Sequence, residues 1–286
     1  MTPMDQNNPL RKYFRQPKIY LNLPSKGKFY PPGSLVMPEN GELPIYPMTA
    51  KDELMIKTPD ALINGQATID VIKSCVPNIK DPWKMPSIDS DAVLIAIRLA
   101  TFGEKLDINT KVPNTGEEKA FQVDLRSLLD QLVAFNFEPY VQINDELTVE
   151  LRPLTYKEFT DNSLRSFEEQ RIFRVVNDDS IPDEKKLQAF ATSFKKLTEL
   201  TIDLVLGSVA AIDTPEGKVI DKQQIRDFFN NSDKTMFNRI IKHLEQMREG
   251  YSIKPFKVVS TPEEVENGAP AEYEIPITFD QSNFFA

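Results

Sequence analysis

The fold is decided by the stretch Ser87-Ile-Asp-Ser-Asp-Ala-Val-Leu-Ile-Ala-Ile-Arg-Leu99. Its first five residues supply side chains that can cap the start of a helix. From Ala92 to Leu99 the residues are apolar on nearly every side of that helix, and such a helix is buried all round. We therefore predict a central helix here, with the first hydrophobic core built around it.

Capping signals predict further helices on both sides of this stretch. Thr49 with Asp52, and Thr155 with Glu158, have the spacing of a capping box, in which each side chain satisfies the other residue's backbone amide. Both pairs precede apolar residues at helical spacing. Helices are therefore expected to begin near residues 49 and 155.

The later half of the chain also has a helical pattern. Apolar residues at spacings of three and four predict one helix of about seven turns from Leu187 to Val209, with an apolar stripe that includes Phe190 and Phe194. Ser232 is expected to cap the last helix and Gly250 to end it at the C′ position.

In two segments, 103–153 and 251–286, apolar and polar residues alternate with period two, which is typical of strands. Hairpins are predicted over residues 106–124 and 140–151, and a third over 253–279 with an acidic loop at 262–270. The expected fold class is α+β, with a mainly helical body. Its predicted segments are an arm at 1–48, helices at 49–102, hairpins at 103–153, helices at 154–250 and a hairpin tail at 251–286.

The arm is extended and basic. Residues 1–48 contain nine prolines, which resist helix interiors, and residues 1–30 carry a net charge of +5. Charge and aromatic rings alternate at Arg11, Tyr13, Phe14 and Arg15. Three interpretations stay open: a solvated terminus, an arm that folds on a protein partner, and a surface that stacks single-stranded nucleic acid.

Five further aromatic residues are candidates for contacts with a partner. Phe29 and Tyr30 lie in a turn-rich block and are expected to dock on the body of the protein. Trp83 lies in a proline-rich loop, where it is either a hydrophobic lid or a binding anchor. Phe284 and Phe285 are expected to fill a pocket, either in this chain or in a partner.

The composition excludes most kinds of catalytic site and metal site. The sequence has one cysteine, Cys75, and one histidine, His243, so it lacks the residues for a Cys/His zinc site or an internal disulfide. There is no glycine-rich phosphate loop, and the paired acids lie where they would cap helices. We therefore expect no enzyme, no catalytic residue and no cofactor.

The net charge and the hydropathy of the sequence exclude some classes of partner. The net charge of −9 disfavours a general nucleic-acid binder, because such a protein must neutralise phosphates. No apolar run approaches the ~20 residues of a membrane span, and no apolar segment follows Arg11 and Lys12, so neither a membrane anchor nor a secretory signal is expected.

The order of the motifs resembles the baseplate hub assembly family of T4-type tailed phages, which includes a hub subunit and a related hub assembly catalyst. The match runs over most of the chain. Its pieces are Leu23-Pro-Ser-Lys-Gly-Lys-Phe-Tyr30, Pro47-Met-Thr-Ala-Lys-Asp-Glu-Leu54, Pro59-Asp-Ala-Leu-Ile-Asn-Gly65, Val71-Ile-Lys-Ser-Cys-Val76, Ile97-Arg-Leu-Ala-Thr-Phe-Gly103, Asp124-Leu125, Leu151-Arg-Pro-Leu-Thr-Tyr156 and Ile277-Thr-Phe-Asp-Gln-Ser-Asn-Phe-Phe285.

The resemblance has one departure. Related chains carry a Cys-Pro-x-Cys knuckle after the first hairpin strand and a second cysteine pair before the terminal strand, whereas this chain has Val112-Pro-Asn-Thr115 and an acidic loop without cysteine. If the knuckles hold zinc in relatives, this chain has kept the strands without the metal. The expectation is one metal-free, ribbon-like antiparallel β module built from residues near 104–153 and 251–280.

The resemblance implies a non-enzymatic assembly factor that promotes formation of the baseplate hub through contacts between proteins. The expected partners are other tail and hub proteins, with the tape-measure protein as one candidate, and neither nucleic acid nor membrane. The alternative is a stable structural subunit of the hub. The first would act in the host cytoplasm during assembly, and the second would stay in the virion baseplate.

Overall fold

The computed structural model describes residues 8–56, 65–170 and 182–277, and it has the expected α+β class. Two short 3₁₀ helices lie at Pro9–Tyr13 and Pro82–Lys84. The α-helices are α1 (Ala50–Ile56), α2 (Gln66–Cys75), α3 (Ser87–Phe102), α4 (Leu125–Val133), α5 (Tyr156–Gln170), α6 (Asp183–Ser208), α7 (Lys222–Asn231), α8 (Lys234–Tyr251) and α9 (Pro262–Glu266). None of these helices is long and apolar enough to cross a membrane.

The strands form small antiparallel sheets. The strands are β1 (Ile19–Leu21), β2 (Leu43–Ile45), β3 (Lys105–Lys111), β4 (Glu118–Asp124), β5 (Tyr140–Gln142), β6 (Thr148–Leu151), β7 (Val209–Thr214), β8 (Gly217–Val219), β9 (Phe256–Val259) and β10 (Glu272–Ile275). A four-stranded sheet has the order β5-β6-β7-β8, and the other strands pair two by two as β1–β2, β3–β4 and β9–β10.

The first hydrophobic cluster is built around α3, as the sequence predicts. Every residue of α3 from Ala92 to Ala100 is buried. The arm strands β1 and β2 cover one side of this helix, and α2 and α4 pack on others. Because other elements surround this part of α3, it has no side that faces solvent, and this explains why it lacks a polar stripe.

Two predicted capping boxes are present. The Asp52 carboxylate accepts a hydrogen bond from the Thr49 amide at 2.8 Å, and the Thr49 hydroxyl accepts one from the Asp52 amide at 3.3 Å. Thr155 and Glu158 make the same pair of bonds at 2.8 and 3.2 Å. These bonds satisfy amides at the helix starts that have no partner within the helix.

The second cluster joins the four-stranded sheet to α6, α7 and α8. The prediction that the long helix continues to Val209 is wrong, because α6 ends at Ser208 and Val209 begins β7. Val209 pairs with Leu151 of β6. A buried strand residue and a helical stripe residue are equally apolar, so spacing alone did not separate them.

Three hairpins are predicted to form one β module, and the structure brings only two of them together. The hairpins β3–β4 and β9–β10 pack face to face through a third cluster, in which Val112 and Phe121 meet Val258 and Tyr273. The predicted hairpin at 140–151 instead lies in the four-stranded sheet, because β7 offers β6 a free edge.

Three local predictions need correction. Asp233, not Ser232, caps α8, since its carboxylate accepts from the amides of Thr235 and Met236. Gly250 lies inside α8, which continues to Tyr251. The acidic segment after Thr261 contains the short helix α9, which a capping box between Thr261 and Glu264 begins.

Candidate interaction surfaces

Arg15 fastens the start of the arm to the body. Its guanidinium donates to both the carbonyl and the hydroxyl oxygen of Ser74 at 2.8 Å, and to the carbonyl of Pro47. The same group lies 3.4 Å from the carboxylate of Asp52, which is buried. These partners come from β2, α1 and α2 or their flanks, so the Arg15 side chain is used within the chain.

Asp89 holds the turn that follows β1. Its carboxylate is fully buried on α3 and accepts from the Ser25 amide at 2.8 Å, the Ser25 hydroxyl at 2.6 Å and the Tyr30 hydroxyl at 3.0 Å. Burial raises the pKa of Asp89 to about 6, although these hydrogen bonds act in the opposite direction. Burial and the neighbouring carboxylate also raise the pKa of Tyr30.

Phe29 and Trp83 also contact the body. The Phe29 ring meets the edge of Phe137 with centroids 5.4 Å apart. Trp83 packs beside Tyr156 at 5.8 Å, and the ammonium of Lys157 lies 5.4 Å from its ring. The expected docking of Phe29 and Tyr30 is therefore present, while a partner contact by Phe29, Tyr30 or Trp83 stays a prediction.

The arm patch is the exposed surface formed by Leu10, Arg11, Lys12, Tyr13 and Phe14. Tyr13 is 73% exposed, and Leu10 and Phe14 are exposed beside it. The ammonium of Lys12 lies 4.9 Å from the centre of the Tyr13 ring. The patch comes directly before Arg15, so a fixed residue presents it at the surface.

A groove of about 550 Å³ lies between α5, α6 and α8. Its walls are largely apolar, and Arg152, Glu245 and Arg248 contribute charged groups. The α5 wall consists of small polar residues between two partly exposed rings, Phe159 and Phe167. This combination of small side chains and flanking rings leaves the groove open.

The aromatic stripe of α6 consists of Leu187, Phe190 and Phe194. It lies in the first half of α6, before the residues of this helix that line the groove. Leu187 and Phe194 are 70% and 62% exposed, and the rings of Phe190 and Phe194 stack with centroids 6.4 Å apart. The sequence pattern identified the stripe but not its exposure, because a core-facing stripe and a docking stripe have the same period.

The histidine, the cysteine and the nearby acids Asp89 and Asp91 do not form a catalytic arrangement. The ring Nε2 of His243 lies 2.8 Å from the Glu138 carbonyl oxygen. Burial raises the pKa of Cys75 to about 12, so this thiol is protonated at neutral pH and is a poor nucleophile. Asp89 and Asp91 are two residues apart on α3, so they point to nearly opposite sides and do not form a carboxylate pair.

The described residues contain no group of three or more histidine, cysteine or acidic side chains that could hold a metal ion. At the position of the knuckle, Val112 is buried against the tail hairpin, and the Asn114 amide donates to the Gly268 carbonyl at 3.3 Å. Lys119 and Glu264 add an ion pair of 2.6 Å. Apolar and polar contacts therefore join the two hairpins. Phe284 and Phe285 lie outside the described residues.

A family model matches most of the chain. The model of the family described as T4 bacteriophage base plate protein covers residues 10–266, which include the arm patch, the groove and the aromatic stripe. The chain belongs to this family. No curated protein and no solved structure matches it. Membership implies a role in the phage baseplate and contacts with other baseplate or tail proteins, and baseplate families are generally non-enzymatic.

Proposed function

We propose that this protein is a non-enzymatic tail assembly factor, which promotes formation of the baseplate hub by binding other tail or hub proteins. The tape-measure protein is one candidate partner. The observation that carries the proposal is the arm patch, an exposed group of aromatic and basic side chains on a chain of the baseplate family. Tyrosine and arginine are enriched among the residues that dominate binding energy in protein interfaces.

The arm patch suits binding because its neighbour is fixed. Arg15 makes its contacts with buried or partly buried groups of three elements, so the backbone beside the patch is already ordered before binding. A surface that is ordered in advance loses less conformational entropy when a partner binds. The basic side chains favour an acidic surface on the partner.

A capture experiment from infected cells tests the patch. The variant with Tyr13→Ala and Phe14→Ala is used as bait beside the wild-type chain, and we expect it to retain at least tenfold less of the tail proteins. Tyr20→Ala is the matched control, because Tyr20 is another exposed tyrosine of the arm and lies outside the patch. Equal capture by the double variant and the control would falsify the role of the patch.

A second experiment separates the assembly factor from the alternative, a stable hub subunit. Mass spectrometry compares the amount of this protein in purified particles with that in the lysate of infected cells. An assembly factor is abundant in the lysate and scarce in particles. A constant stoichiometric amount in particles would favour the structural subunit.

A further inference from the structure

The aromatic stripe continues into the groove along one side of α6. With 3.6 residues per turn, Thr198, Thr201 and Val205 lie within roughly 40° of the side that carries Phe194. Thr201 and Val205 line the groove, whereas Phe194 is exposed. The same side of one helix therefore presents a protruding aromatic group and, two to three turns later, an apolar hollow.

We propose that this side of α6 joins two copies of the chain into a two-fold symmetric dimer. When two α6 helices cross antiparallel with the axis between Leu197 and Thr198, residues at equal distances before and after that point face each other. Phe194 of each copy then faces the groove wall near Thr201 of the other, and Phe190 faces the region of Val205. A two-fold interface of this kind needs a surface that is complementary to itself.

The apolar area is the amount that a stable dimer needs. Phe159 and Phe167 beside the groove are 52% and 58% exposed, and they add to the partly exposed stripe. An aromatic side chain has about 150–250 Å² of surface. From their exposed fractions, the four rings Phe159, Phe167, Phe190 and Phe194 together with Leu187 present about 500 Å² of apolar surface per copy. A standard interface covers about 800 Å² per partner, of which about 56–65% is apolar.

The side chains near the proposed axis permit a close approach. Thr198, beside the axis, and Ala191, about two turns before it, are exposed, small and uncharged. The Thr198 hydroxyl bonds to the carbonyl of Phe194 in its own helix at 2.9 Å, so it does not require a partner in the second copy. The charged residue Lys195 lies at the edge of this side, about 100° from Phe194, and pairs at 3.9 Å with Glu199, which lies farther round towards the opposite side.

The molar mass in solution tests the dimer. Size-exclusion chromatography with light scattering at micromolar concentration is expected to give about twice 32.7 kDa for the full chain. Phe194→Asp places a charge in the interface and is expected to give the monomer mass. Thr192→Asp is the control, because Thr192 is exposed on the opposite side of α6, and this variant should stay dimeric. Circular dichroism checks that both variants are folded.

Cysteine cross-linking tests the position of the axis. Thr198→Cys places two thiols close to the two-fold axis, and mild oxidation should link most of the chains as dimers. Thr192→Cys is closely matched, because both threonines are exposed and both bond to the carbonyl four residues earlier. The single native cysteine, Cys75, is buried and should not interfere.

Three results overturn the proposal: a monomeric wild-type chain, a Phe194→Asp dimer, or equal cross-linking through positions 192 and 198. If a monomeric chain binds a tail protein and Phe194→Asp abolishes that binding, the surface belongs to another protein instead. The dimer does not depend on the proposed function, since the arm patch lies on a different part of the chain. A monomeric Phe194→Asp variant that still captures partners through the arm separates the two proposals.

Discussion

At the scale of single residues, one buried carboxylate of α3 adds hydrogen bonds to the apolar contact between the arm and this helix. Asp89 accepts three hydrogen bonds from Ser25 and Tyr30. Its pKa of about 6 lies above the ordinary value of 3.8, so burial penalises the ionised form more than these bonds favour it. The penalty applies above pH 6, and it disappears as the pH falls towards 3.8. This group therefore increases stability on acidification from pH 7 to pH 4.

Tyr30→Phe removes one donor to this carboxylate. We expect a loss of about 1.5–3 kcal/mol in the free energy of unfolding at pH 7, the range for a hydrogen bond to a charged group. The loss should fall to about 0.5–1.5 kcal/mol at pH 5, where Asp89 is protonated. Urea unfolding at the two pH values measures this difference, with Tyr20→Phe as the control. A loss that is the same at both pH values contradicts an ionised acceptor.

The sequence predicted the docking of Phe29 and Tyr30 but not the residue that receives Tyr30. Asp89 was expected only to help cap α3, and the chain places it 64 positions after Ser25. A carboxylate that caps a helix and one that receives a distant turn are the same residue type. Only the tertiary fold, which buries Asp89 beneath the arm, distinguishes them.

At the scale of elements, the start of α5 contains a strong ion pair. Arg152 donates to both carboxylate oxygens of Glu158 at 2.9 and 2.7 Å. Burial opposes ionisation of Glu158, but Arg152 and the Thr155 amide outweigh it and lower the pKa from 4.5 to about 2. The stabilisation is therefore complete above pH 4.5 and is lost between pH 4.5 and 2.

Arg152→Gln should remove most of that stabilisation. Because the Glu158 side chain is more than a third exposed, solvent reduces the expected loss to about 1 kcal/mol at pH 7. At pH 2 the variant and the wild type should differ much less. Thermal unfolding across this range measures the effect, and Arg165→Gln on the same helix is the control. A difference that does not depend on pH would argue against the ion pair.

Gly250 allows α8 to pack closely against Phe135. A Cβ atom at Gly250 would lie 2.7 Å from the Phe135 ring, which is closer than side chains tolerate. Although alanine is the better helix former, we expect Gly250→Ala to destabilise the protein by about 1–3 kcal/mol, because the ring must move. In a Phe135→Leu background the same change should cost less. Urea unfolding of the four proteins measures this coupling, and additive losses would contradict the contact.

Helices were predicted well and some of their ends were not. The capping boxes identified α1 and α5 because both partners are local in sequence. The end of α6 at Ser208 depends on pairing of β7 with β6, which lies about 60 residues earlier. The sequence predicts that Gly250 ends the helix, because it does not show that Phe135 approaches this glycine.

At the scale of the whole molecule, the hydrophobic clusters combine distant parts of the chain. The sequence predicted the first cluster from the apolar helix α3, and the α+β class from its two periods. It did not predict the β7–β8 hairpin, nor the groove, which results from packing between α5, α6 and α8. The predicted segment boundaries at 48, 102, 153 and 250 stay predictions.

The terminal aromatic pair is tested on the whole protein. If Phe284 and Phe285 contact a partner, replacing both by alanine should weaken hub assembly more than His243→Ala does, and the melting temperature should stay the same. If the pair covers a core of this chain, the melting temperature should fall. Thermal unfolding and an assembly assay distinguish these results. Wild-type behaviour in both assays would exclude the pair from either role.

The packing of Ile253 and Ile277 on the first cluster has a consequence for synthesis. This cluster includes Ile19 in the arm, so its earliest and latest members are separated by most of the chain. At about 5–20 residues per second, a ribosome needs roughly 10–50 s to pass from one to the other. During that time the nascent chain exposes apolar surface that the late residues will cover. Completion of this cluster therefore waits until Ile277 has been synthesised.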